Sequence, residues 1–181
     1  TEYENLLKRF TDEAFTISVK LTSIGMDHSY EEVIKNLTKL AQLAMINNQM
    51  IRLDMEDSTY TQKTIEACKF IHNEFEGSVG ITLQANLYRT ETDLMNLISN
   101  GISIRLVKGA YIENDEIAYT DSENIRQKFL EHANQLIRDN DVKHSIATHD
   151  EALLAEIALQ NEMMNHRFEF LFGVRRDLQK A

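Results

Sequence analysis

Five short apolar runs divide their side chains in the same way, and this shared division constrains the fold more than any other feature. The runs are "FTISVKL" (15–21), "MIRLDM" (50–55), "ITLQA" (81–85), "ISIRLV" (102–107) and "SIATH" (145–149), with a sixth candidate in "FEFLF" (168–172). Successive strand residues point to opposite faces of a sheet. One face is aliphatic: Ile17, Val19 and Leu21, then Ile51 and Leu53, Ile81 and Leu83, and Ile102, Ile104 and Leu106. The other face turns from small or polar to ionic toward the C-terminal end of each run: Thr16, Ser18, Lys20; Arg52, Asp54; Thr82, Gln84; Ser103, Arg105; Ala147, His149.

Amphipathic helical patterns near 30–47, 60–76, 91–99, 122–139 and 151–163 separate the runs, giving the βαβα order of a parallel sheet covered by helices. Ser29 with Glu32, and Thr90 with Asp93, have capping-box spacing, and Asp150 stands where a cap would open the last helix. An open doubly wound sheet meets helices on both faces, so both faces would be apolar. A closed (β/α) barrel explains one aliphatic and one ionic face, because the inner residues at the C-terminal rim surround a site. The fold expected is α/β, a (β/α)8 TIM-like barrel with about six of its eight βα units present. Such barrels typically take about 250 residues. The expectation is therefore a single catalytic barrel domain over 1–181, truncated at both ends, with Thr1 as a cut end.

Composition narrows the function classes. A formal net charge of -10 argues against a nucleic-acid partner, which calls for a basic face. Cys68 is alone and reads as a small apolar residue on a helix face, so a reducing compartment is expected. No apolar run approaches the roughly 20 residues that span a bilayer. Proline is absent and the six glycines are scattered, which leaves no hinge or linker to divide the chain.

The motifs, in order, are "ISVKLTSIG", "IRLDMEDSTY", "ITLQANLYRTETDL", "IRLVKGAYIE", "IATHDEALL" and "FEFLFGVRRDLQ". With them the chain resembles the proline dehydrogenase family, in particular its monofunctional bacterial members, over roughly residues 15–179. "RLVKGAY" followed some 40 residues later by "ATH" is the specific element. The resemblance implies an FAD enzyme of proline catabolism that oxidises L-proline to Δ1-pyrroline-5-carboxylate and passes electrons to a quinone. It also implies a cytoplasmic protein, with peripheral contact at the inner face of the cell membrane.

By position, the resemblance makes Asp54 and Arg105 the catalytic pair and Lys20 and Tyr111 the substrate contacts. Gln84, Arg105, Lys108, Gly109, Ala110, Thr148 and His149 become cofactor contacts, with Gly109 letting backbone approach the cofactor. No metal site is expected. Arg175 and Arg176 follow the sixth strand and do not correspond to the family's carboxylate-clamping arginines. "FEFLFG" is about two residues shorter than the family's pattern, so the register of Glu169, Phe170 and Leu171 stays open.

Taken without the family, the same residues admit structural readings. Lys20 can lie on its stem with a solvated head, Asp54 can cap a turn, Gln84 can be a satisfied inner-layer amide, and His149 can be a core histidine bonded to backbone. His28, His72, His132, His144 and His166 read as scattered and exposed, while Met45, Met50, Met55, Met163 and Met164 read as core or strand filler. Two rival functions remain at this point. One is a barrel lyase or aldolase using Lys20 as a Schiff-base amine; the other is a truncated, non-catalytic barrel that associates through uncovered strand edges.

Overall fold

The computed structural model describes residues 2–11, 14–159 and 166–180. The chain forms two compact units, Thr1–Thr82 and Leu83–Ala181. The first carries helix α1 (Glu2–Arg9), strand β1 (Thr16–Val19), α2 (Tyr30–Ile46), β2 (Met50–Leu53), α3 (Ser58–Glu74) and most of β3 (Val79–Gln84). The second carries the end of β3, then α4 (Thr90–Ser99), β4 (Ser103–Val107), α5 (Ser122–Arg138), β5 (Ser145–Ala147), α6 (Glu151–Leu159) and β6 (Arg167–Glu169). All six expected strands and five expected helices are present; Met163 and Met164, and the end of the expected helix 151–163, lie outside the described residues. Helix α1 was not anticipated. It buries one side chain, Leu7, and its acidic first turn and basic last turn suit the helix dipole.

In the first unit β1 pairs with β2 in parallel, Ile17 opposite Ile51 and Val19 opposite Leu53. Strand β2 pairs with β3 in parallel, Ile51 opposite Val79 and Leu53 opposite Ile81. In the second unit the end of β3 runs onto β4, where the Ala85 amide donates to the Val107 carbonyl at 2.8 Å. Parallel pairing continues from β4 to β5 and from β5 to β6. Strand neighbours thus follow chain order from β1 to β6.

The aliphatic face packs as the period-two pattern demands. Val19, Ile51, Leu53, Ile81, Ile104 and Leu106 are fully buried. Helix α2 shows why the helices form: Val33, Leu37, Leu40, Ala41 and Ala44 recur at three- and four-residue steps and are all buried. Each large side chain among them contributes about 1.5–3 kcal/mol of burial. Ser29 caps this helix by accepting from the Glu32 amide at 3.0 Å, as its spacing foretold. Asp57 and Asp121 cap α3 and α5 in the same manner.

Three expectations are corrected. Thr90 does not cap α4: Arg89 is the capping residue, already in helical backbone, while the Thr90 hydroxyl donates to the Gln84 carbonyl. Asp93 instead accepts two bonds from the Arg89 guanidinium, at 2.6 and 3.1 Å. Among the histidines, His28 is exposed, but His72, His132 and His144 are buried and His166 is half-buried. Of these, His144 has both ring nitrogens bonded, which lets it sit fully buried. In the second unit His144 Nδ1 accepts from the Ile104 amide at 3.1 Å and its Nε2 meets Asp139 at 2.9 Å. His166 Nδ1 accepts from the His144 amide at 3.2 Å. Third, Met45 is exposed, whereas Met50 is half-buried in β2 and Met55 is buried. Cys68 is buried as expected, and desolvation pushes its thiol up to about 12, so it stays protonated and packs as an apolar group.

Candidate active site

The ionic strand ends are described unit by unit. In the first unit Lys20 follows β1 and is exposed; its carbonyl accepts from the Ser23 amide and hydroxyl, which turns the chain away from the strand. Asp54 follows β2 and is half-buried. Its amide donates to the Val19 carbonyl at 2.9 Å, prolonging the sheet, and its Oδ1 accepts from the Thr82 hydroxyl at 3.1 Å. Two residues earlier, Arg52 is 2 % exposed and Nη1 donates to the Ile81 carbonyl at 3.4 Å. Glu56 accepts from the Thr22 hydroxyl at 2.7 Å and the Thr22 amide at 3.2 Å, tying the β1 exit to the β2 exit.

In the second unit four expected site residues lie on, or just after, the neighbouring strands β3, β4 and β5. Gln84 ends β3 and is buried. Arg105 lies on β4, and its Nε donates to Glu169 Oε2 on β6 at 2.6 Å. Lys108 follows β4 and pairs with Asp150 at 2.7 Å. His149 follows β5, where its Nε2 accepts from the Leu171 amide at 2.9 Å and its ring meets Phe170 edge-on. That bond leaves Nδ1 as the protonated nitrogen of the neutral ring. Thr148 is buried and its hydroxyl accepts from the Asp150 amide at 3.2 Å. Ala110 is exposed and Tyr111 half-exposed in the loop beyond Gly109.

Two of these residues do more than their spacing revealed. Asp150 holds Lys108 with one oxygen and, with the other, caps α6 through the Leu153 amide at 3.2 Å. Burial alone would raise its pKa, but the Lys108 ammonium and the Leu153 amide hold the carboxyl below its ordinary range. Gly109 has φ of +114°, a left-handed conformation open mainly to glycine, and a Cβ there would overlap the Asn86 side chain. The close approach at Gly109 is thus to Asn86, a residue that sequence reasoning passed over.

The sequence alone leaves the role of Glu169 open, because it does not set the register of its strand. The pairing of Ala147 with Glu169 now sets that register. Its only sequence signal is the alternation in "FEF", which puts the glutamate between two aromatic residues on the polar face. Arg175, as expected, is no strand-end residue: it bonds Asp177 and Glu151 on the surface.

Parallel strands that pair with their neighbours in chain order, each followed by a helix, have the connectivity of a (β/α) barrel; a doubly wound sheet reverses direction at a switch point. The chain is accordingly an α/β protein of the (β/α)-barrel class. The sequence model for proline dehydrogenase matches residues 2–181. Proline dehydrogenase 2 of Bacillus subtilis is 35% identical over 171 residues, covering 90% of this chain and 55% of its own length. Proline dehydrogenase of Deinococcus radiodurans is 34% identical over 173 residues, covering 91% and 56% respectively. The chain thus spans about half the length of these relatives. Among solved structures, proline utilization A from Bdellovibrio bacteriovorus inactivated by N-propargylglycine superposes with a TM-score of 0.88 at 22% identity, over 99% of this chain and 24% of that one. The chain belongs to the proline dehydrogenase family, as its motifs indicated.

Proposed function

We propose that the protein oxidises L-proline to Δ1-pyrroline-5-carboxylate with FAD as its redox cofactor and a quinone as the final electron acceptor. The observation that carries this reading is the placement of Gln84, Arg105, Lys108 and His149 on, or just after, the neighbouring strands β3, β4 and β5 of one unit in a chain of this family. FAD brings a planar ring with amide-like edges and a diphosphate, so it calls for amide partners, fixed cations and a backbone without bulky obstruction. The donor set fits: an amide, a guanidinium, an ammonium and an imidazole stand there, and the Arg105 and Lys108 side chains keep 19% and 38% exposure. Bound FAD would supply the two-electron acceptor that no side chain here can provide.

The remaining roles fall to the chain's own groups. Arg105 offers a guanidinium with rigid donors, so it can balance negative charge that develops as substrate electrons leave. Lys108, steadied by Asp150, adds a second positive group, and Gln84 offers its amide. We assign Lys20 and Tyr111 to the substrate carboxylate and ring. Asp54, whose position is set by Thr82, is assigned to the substrate's nitrogen, which must be unprotonated when hydride departs from the neighbouring carbon. Gly109, Ala110, Thr148 and His149 complete the proposed cofactor contacts. Among the described residues no helix is long and apolar enough to cross a membrane.

The test is a visible spectrum of the purified full-length protein before and after L-proline. A flavin band that bleaches on addition supports cofactor and substrate together. A colourless protein with no proline oxidation overturns the reading. Arg105→Met should lower proline-dependent flavin reduction by roughly 10²–10³-fold, the scale of losing one preorganised charge-stabilising donor.

A further inference from the structure

We propose that Glu169 is a positioning residue for Arg105: it fixes the guanidinium plane and moderates its charge. This inference rests on the flavoenzyme reading above and deepens it.

Arg105 and Glu169 do not sit on adjacent strands. Arg105 pairs with Ser145 on β5, Ser145 with Arg167 on β6, and Ala147 with Glu169 one step further along the same face. Strands lie about 4.8 Å apart, so β4 and β6 are roughly 10 Å apart at their backbones. A long side chain on β5 would stand in that passage. Ala147 is the β5 residue of this face opposite Glu169, and its methyl leaves the guanidinium room to cross. The contact is 2.6 Å from Nε to Oε2, with the two side chains only 19% and 30% exposed. A pair this short and this shielded is a charge-assisted bond, unlike the solvated surface pairs that contribute little.

Bonding through Nε has a geometric consequence. The guanidinium is planar, so holding Nε against Glu169 determines where both Nη groups point. It has an electrostatic consequence as well, because a carboxylate beside the cation offsets part of its field. The first effect needs only an acceptor; the second needs a negative charge. Glu169→Gln keeps the acceptor and removes the charge, and Glu169→Ala removes both.

In the flavin-loaded full-length protein, Glu169→Gln should shift the two-electron reduction equilibrium about tenfold toward the reduced form, which is about 30 mV more positive. Its proline-dependent flavin reduction should be affected less than that of Glu169→Ala, because the amide oxygen still accepts from Nε. Glu169→Ala should reduce flavin roughly tenfold more slowly under saturating proline, because the guanidinium is no longer oriented. A midpoint potential unmoved in Glu169→Gln overturns the inference, since a merely structural glutamate would leave it so. A Glu169→Ala rate within twofold of wild type overturns it equally. Should Glu169→Ala fail to hold flavin, the potential of Glu169→Gln decides. A wild-type protein that binds flavin and is bleached by proline, with both variants unchanged, sinks this inference alone; a wild type without flavin sinks the reading beneath it too.

Discussion

The two units each show a distinct kind of bond at the charged residues on and after their strands. In the first, Asp54 accepts from the Thr82 hydroxyl, Glu56 from the Thr22 hydroxyl and amide, and the buried Arg52 donates to the Ile81 carbonyl. In the second, Arg105 and Lys108 meet the carboxylates of Glu169 and Asp150. Hydroxyl and backbone partners are neutral and fixed by the fold, so they hold a charge in place without cancelling it. Carboxylate partners cancel part of the charge and respond to salt and pH.

The largest effect should come from the loop that carries Lys108. Gly109→Ala puts a Cβ against Asn86 and forces an unfavourable φ, so it should cost roughly 1–3 kcal/mol, read from the shift in urea midpoint. Combining it with Asn86→Ala removes the overlap but leaves the φ strain, so part of the loss should return. Unchanged stability in the single variant would show that Gly109 does not set this loop. Thr82→Val comes next, because it removes the hydroxyl that holds Asp54 in the first unit. A hydrogen bond to a charged group of this kind contributes about 1.5 kcal/mol, and since the donor is neutral the loss should differ little between low and high salt. A strong salt dependence would break the contrast between the units.

How much of this could be read beforehand follows from the range of each interaction. The strand series and the barrel connectivity were legible because alternation is local: Ile51 and Arg52 declare opposite faces within two residues. The Ser29 and Asp150 caps were legible for the same reason. Thr90 misled because the capping-box spacing also fits a threonine inside the first turn, and the distant Gln84 carbonyl decided between them. The burial of His144 was hidden since its partners, the Ile104 amide and Asp139, come from different elements. Helix α1 was missed because one buried leucine makes no periodic pattern. In the candidate site, residue identities came from motif order, whereas the Arg105–Glu169 bond depends on register across β5 and on the smallness of Ala147, which no local pattern encodes.

The smallest effect tests the ion-paired unit most directly. Asparagine caps a helix about as well as aspartate, so Asp150→Asn preserves the bond to the Leu153 amide and removes only the charge facing Lys108. At neutral pH and low salt it should cost a few tenths to about 1 kcal/mol, the range for a partly exposed pair. The sign of the pH dependence follows from the lowered carboxyl pKa. The folded state holds the deprotonated form more strongly than the unfolded chain does, so the stabilisation is fully present above the ordinary aspartate range near about 4. It is lost as pH falls through the lower folded value. The difference between wild type and Asp150→Asn should therefore be constant from pH 7 down to about 5, narrow below about 4, and shrink in roughly 1 M salt, where screening extends only about 3 Å. Equal stability of wild type and Asp150→Asn at pH 7 and low salt would mean that Asp150 acts through its cap alone, and that the pair with Lys108 contributes nothing to holding this strand end.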